Sequence, residues 1–173
     1  MRPIFRKIRD VVLPALALAL VAGAGVAAGL DQPKADSILT VSGKISVTNA
    51  PSSAQFDRAM LEKIGMESFT TMTPWYKEPV KFEGVPLKKL MAAVEAKGEK
   101  IVAVALNDYS AEVPMEDIAK YNVILALKRD GEYMTPRDKG PLFIVYPYDS
   151  NPDLKNQKFY SRSVWQVAKI EVK

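Results

Sequence analysis

Asn107, Asp108 and Tyr109 set an amide, a carboxylate and a phenol side by side, directly after the apolar run Ile101 to Leu106. Polar groups of different kinds at the end of a buried strand are a common way to furnish a pocket. Trp75 and Tyr76 after Pro74, and Trp165 near the C-terminus, offer flat stacking surfaces. Arg137 and Arg162 offer planar forks that suit phosphate or carboxylate. Together these residues describe a binding site for a small anionic or organic ligand. Each also has a plainer reading. Asn-Asp is a good turn pair. Trp165 reads as packing against the last strand, Trp75 as core or pocket wall, and the two arginines as solvated charges. Glu112, Glu116 and Asp117 imitate an acid–base pair, but negative charge at a helix start accounts for the latter two.

The chemistry open to this set is bounded by two absences. The 173 residues contain no cysteine and no histidine. A chain without cysteine has no thiolate nucleophile, no thiolate metal ligand and no disulfide. Without histidine it has no imidazole ligand and no side chain that titrates near neutrality unperturbed. Serine–histidine and cysteine–histidine catalysis and the usual zinc sites are excluded. What remains is carboxylates, lysine, arginine, tyrosine, backbone groups or a borrowed cofactor.

The elements that must position these residues follow from the pattern of apolar positions. Leu39, Val41, Ile45 and Val47 alternate around Gly43 as a strand with one buried face, bent at the glycine. Ser52 or Ser53 can cap a helix carrying Phe56, Met60, Leu61 and Ile64 and ended by Gly65. Ser68–Thr73 and Val80–Phe82 read as strands. Pro86 opens the clearest helix, where Leu87, Leu90, Met91 and Val94 form one apolar stripe and Lys97-Gly98 supplies the stop. Ile101–Leu106, Val123–Lys128 and Leu142–Tyr146 read as strands, and Asp130-Gly131 as a hairpin turn. Pro114–Tyr121 is a short helix or turn, Tyr148–Lys158 a long polar loop, and Val164–Val172 a closing segment without a clean period. Mixed short strands with two or three helices predict a single α+β domain.

The N-terminus predicts export. Arg2, Arg6, Lys7 and Arg9 precede the apolar run Val11 to Leu20, which gives way to an Ala/Gly-rich stretch to Leu30. This is a bacterial-type secretory signal, with small-residue cleavage patterns at Ala22-Gly23-Ala24 and Val26-Ala27-Ala28. The expected division is a signal peptide over 1–28, a flexible lead-in over 29–37 and the domain over 38–173, with a periplasmic product. Val11 to Leu30 is also long enough to span a bilayer, so the protein meets the membrane only if this segment is retained. The chain has 24 Lys+Arg and 20 Asp+Glu, a net +4. Residues 1–28 hold four basic residues and one acid, so the remainder carries only +1. No clustered basic face is left for nucleic acid.

The order of local motifs resembles the oxidoreductase molybdopterin-binding domain, the fold of sulfite oxidase. Phe82-Glu83-Gly84-Val85-Pro86-Leu87-Lys88-Lys89-Leu90 resembles its F-x-G-V-P-L-x-x-L step. Asn107 to Pro114, the strand and turn Val123 to Gly131, Gly140-Pro141-Leu142 to Pro147, and Ser163-Val164-Trp165 to Val172 resemble further segments in the same order. The resemblance implies a metal-ligating cysteine near Met72, where this chain reads Thr70-Thr71-Met72-Thr73-Pro74-Trp75, and a tyrosine near the cofactor pocket at Tyr109. It also implies an arginine after Pro-Leu, where this chain has Phe143, and histidines that hold the pterin in larger members. A neutral thioether does not replace a thiolate on a high-valent, oxo-bearing metal. The expectation is therefore an exported non-redox binding or accessory protein without bound cofactor, recognising a small ligand or an envelope partner such as a membrane sensor. The alternatives are a periplasmic molybdopterin-dependent oxidoreductase with non-cysteine ligation and a structural envelope protein.

Overall fold

The computed structural model describes residues 29–173. The secretory-signal reading falls on residues 1–28 and lies outside them. Ten strands form two five-stranded sheets that share one core, with four short helices: an α+β domain. In the first sheet β2 (Ser53–Phe56), β1 (Leu39–Gly43), β10 (Val167–Val172), β5 (Lys100–Ala105) and β6 (Ser110–Pro114) lie in that order. β1 and β10 pair in parallel, with Val41 opposite Ile170, and the other pairs are antiparallel. In the second sheet β3 (Glu67–Thr71), β4 (Val80–Pro86), β7 (Ile124–Arg129) and β8 (Glu132–Tyr133) follow one another, and β9 (Phe143–Val145) also pairs with β7. Residues 164–167 connect the two: the Ile144 N–H donates to the Val164 carbonyl, Val167 N–H to Leu142, and β10 begins there.

The helix after Pro86 is α2 (Leu87–Ala93), and its stripe of Leu87, Leu90, Met91 and Val94 is buried as the spacing requires. It stops at Val94 rather than at Lys97-Gly98, four residues early. The Val94 carbonyl instead accepts the N–H groups of Ser46 and Val47, the residues that follow β1. β1 itself ends at Gly43, where φ is 89°, and does not run on to Val47. The helix expected from Ser52 or Ser53 is α1 (Arg58–Ile64), capped by Asp57, whose Oδ1 accepts the Met60 N–H at 2.9 Å. Ser53 lies in β2, pairing with Ser42, because Ala54 and Phe56 both turn into the core. The other oxygen of Asp57 accepts the N–H groups of Lys34 and Ala35, so residues just before β1 are hydrogen-bonded to the cap. These bonds, led by that of Met60, hold its carboxyl below the usual carboxylate range.

Gly84 shows why its motif has a glycine. The β4–β7 register shifts between Glu83 and Gly84, and a Cβ on Gly84 would stand 2.2 Å from the Leu125 carbonyl oxygen. The polar stretch Tyr148–Lys158, expected as loop, holds two short 3₁₀ turns and the start of α4 (Gln157–Arg162). Asn156 caps that helix by accepting the Lys158 N–H at 2.9 Å, and only Phe159 of its six residues is buried.

Candidate functional site

A cleft of about 380 Å³ opens where the two sheets meet. Pro74 and Trp75 enter it from the connection after β3, and Ala105, Asn107 and Tyr109 from the β5–β6 turn. Gln157, Tyr160 and Ser161 come from α4, Ser163 from its cap, and Trp165 from the crossing segment before β10. The chain's only two tryptophans therefore wall the same space. Their rings meet edge to face, 5.6 Å between centroids at 80°, and form a corner. Trp75 also packs against Phe143, Tyr148 and Tyr160, so it is at once core and wall. Trp165, read from the sequence as core packing, is half-buried and carries the ammonium of Lys139 4.5 Å from its ring centroid.

The β5–β6 turn is tight. Asp108 sits at φ 64° and its N–H donates to the Ala105 carbonyl, while Asn107 Oδ1 accepts the Tyr109 N–H at 3.2 Å. Tyr109, 50% exposed, reaches across and donates its hydroxyl to the Ser161 carbonyl at 3.1 Å. One bond thus ties the turn to α4 over the cleft.

Of the six residues singled out for ligand binding, Trp75, Asn107 and Tyr109 line this cleft and the other three do not. Asp108 is an exposed turn residue. Arg137 is exposed on the short turn Pro136–Asp138. Arg162 faces the core side of α4: its Nη1 lies 2.5 Å from Asp117 Oδ2, and Asp117 is only 8% exposed. Tyr146 donates its hydroxyl to the same carboxylate oxygen at 2.9 Å. Burial, reinforced by the Asp117 charge, raises the Tyr146 phenol far above its ordinary range, so it remains a donor. The anion forks expected of the two arginines are absent from the cleft because one is held by a buried carboxylate and the other stands elsewhere. Met72, near the expected cysteine position, is 37% exposed and outside the lining. Its N–H donates to Asp149 Oδ2.

The loop expected over Tyr148–Lys158 takes in Gln157, and no element is expected over Phe159–Arg162, so α4 and its Tyr160 and Ser161 are not anticipated from the sequence. The available signals were the Asn156 cap and the adjacent aromatics Phe159-Tyr160. Beneath the cleft, Ser163 Oγ donates to the Phe159 carbonyl at 3.0 Å and hydrogen-bonds the Tyr148 hydroxyl. Burial likewise pushes the Tyr148 phenol up, out of reach of ionisation near neutrality.

This fold belongs to a known class. The chain is a member of the oxidoreductase molybdopterin binding domain family, whose model matches residues 34–149. No curated protein matches the chain. The matched residues include the Pro74, Trp75, Ala105, Asn107 and Tyr109 side of the cleft; Gln157 to Trp165 on the opposite side lie beyond them. The family's cofactor does not suit the donors present. The cysteine thiolate that the resemblance implies as molybdenum ligand is missing, since the chain has no cysteine. Every residue lining the cleft is uncharged, and among the described residues no cluster of three His, Cys, Asp or Glu is placed to hold a metal.

Proposed function

We propose that this protein is an exported, non-redox binding or accessory protein, and that the aromatic cleft takes up a small organic ligand or a loop of an envelope partner such as a membrane sensor. The observation that supports this reading is the lining itself. Two tryptophans, two tyrosines, two side-chain amides and no charge make a surface that stacks and hydrogen-bonds. Its lining includes no carboxylate, lysine, histidine or cysteine, so no side chain there is a strong base or a thiolate. The basic, apolar N-terminal run supports a periplasmic location.

The test is made on protein purified from its native compartment, by elemental and pterin analysis with oxidase and reductase assays. The expected result is substoichiometric molybdenum and no turnover. A ligand that occupies the cleft raises the midpoint of thermal unfolding, and the rise continues with the logarithm of its concentration once that exceeds Kd. Stoichiometric molybdenum with turnover lost in Met72→Ala or Tyr109→Phe would instead establish an oxidoreductase with altered metal ligation.

A further inference from the structure

Resting on the reading of the cleft as a ligand site, we infer that its ligand is an uncharged, planar heteroaromatic ring bearing hydrogen-bond acceptors such as a carbonyl. The inference comes from which polar groups in the cleft are already engaged. The Ser161 hydroxyl donates to the Lys158 carbonyl and the Ser163 hydroxyl to Phe159. The Ser161 carbonyl accepts the Tyr109 hydroxyl, and Asn107 Oδ1 accepts the Tyr109 N–H. The cleft's serine hydroxyls and the Asn107 oxygen are thus turned to the protein itself.

The groups left over are mainly donors. The Asn107 Nδ2 and Gln157 Nε2 amides, the Tyr160 hydroxyl and the indole N–H groups of Trp75 and Trp165 have no protein acceptor among the described residues, and Gln157 Oε1 is the amide oxygen left unengaged beside them. An indole N–H donates only, so a complementary ligand supplies acceptors. The two indoles at 80° allow a flat ring to lie against one face and set its edge to the other.

Charge settles the class further. No arginine, lysine or carboxylate lines the cleft, so an anionic or cationic ring would lose hydration without gaining a partner. An aromatic corner is in general attractive to cations. Here the Lys139 ammonium, which does not line the cleft, already stands 4.5 Å from the Trp165 ring and takes up that attraction. A neutral ring meets neither penalty.

Because Trp75 and Trp165 are the only tryptophans, the two indole N–H resonances of the ¹⁵N-labelled protein both report on this cleft. Three probes share one ring and differ in charge: nicotinamide (neutral), nicotinate (anionic) and 1-methylnicotinamide (cationic). In titrations at millimolar concentration, nicotinamide is expected to shift both indole signals and to bind at least about fivefold tighter than either charged probe. Asn107→Asp keeps the Oδ1 that holds the turn but removes the amide donor, and is expected to weaken nicotinamide at least about fivefold. Equal or tighter binding of nicotinate or 1-methylnicotinamide overturns the charge assignment and leaves the ligand-site reading standing. Unchanged nicotinamide affinity in Asn107→Asp overturns the donor assignment. If no probe moves either indole signal, this inference falls, and the ligand-site reading rests on the unfolding test alone.

Discussion

Arg162 and Arg137 are the same residue type with opposite fates. In sequence both are candidate anion forks. In the fold, Arg162 is pinned between Asp117 and the Phe159 ring, and Arg137 stands in solvent. The decisive fact is a carboxylate 45 residues away, which no local pattern around Arg162 displays. Removing one partner of a buried pair leaves the other desolvated and unpaired, which typically costs about 3–5 kcal/mol. Arg162→Ala is therefore expected to lower stability to urea by about 3 kcal/mol, while Arg137→Ala stays within about 0.5 kcal/mol. A loss below about 1 kcal/mol for Arg162→Ala would show that the pair does not secure α4. Trp75, Asn107 and Tyr109 were legible as pocket residues because each belongs to a short run whose neighbours also pointed there. Trp165 could be read either way and Tyr160 not at all, since an aromatic beside apolar residues looks the same whether it faces a core or a cleft.

Elements were legible where periodicity had length to show itself. α2 gave four apolar positions over two turns after a proline, and all four are buried. Leu90 is fully buried, so Leu90→Ala is expected to cost about 2–5 kcal/mol in denaturant unfolding. A loss below about 0.5 kcal/mol would mean that the stripe carries little of the core. β2, β6 and α4 escaped because each has four to six residues with at most two buried. Such segments are fixed by the partner they meet rather than by their own pattern. Ser53 illustrates the competition: it is a plausible cap locally, yet pairing of Ala54 and Phe56 against β1 claims it, and Asp57 takes the cap.

At the scale of the molecule, the α+β class was legible from the mixture of short strands and helices and the family from the order of motifs, and the pairing of strands was not. The motif glycine at Gly84 and the helix-opening Pro86 mark places where backbones must approach closely or a chain must turn. Those demands survive even where the metal-binding cysteine is missing. The proposed export makes a further expectation: mass spectrometry of the protein from cells should find an N-terminus between Gly25 and Asp36. An intact Met1 species confined to membranes would favour a retained anchor. Cleavage after Ala28 would leave Asp31 in place to pair with Lys63 at 2.9 Å.

β10 lies between β1 and β5, so the middle strand of the first sheet is synthesised after its four companions. Until Val167–Val172 emerges, β1–β2 and β5–β6 are two separate hairpins, each with a raw edge and no shared neighbour. The crossing segment that completes the cleft arrives with the same final residues. If the chain is exported as proposed, its first sheet stays open while that strand is still inside a translocation channel. Under the proposed export, this six-residue strand would work as a latch that closes the first sheet once it has emerged.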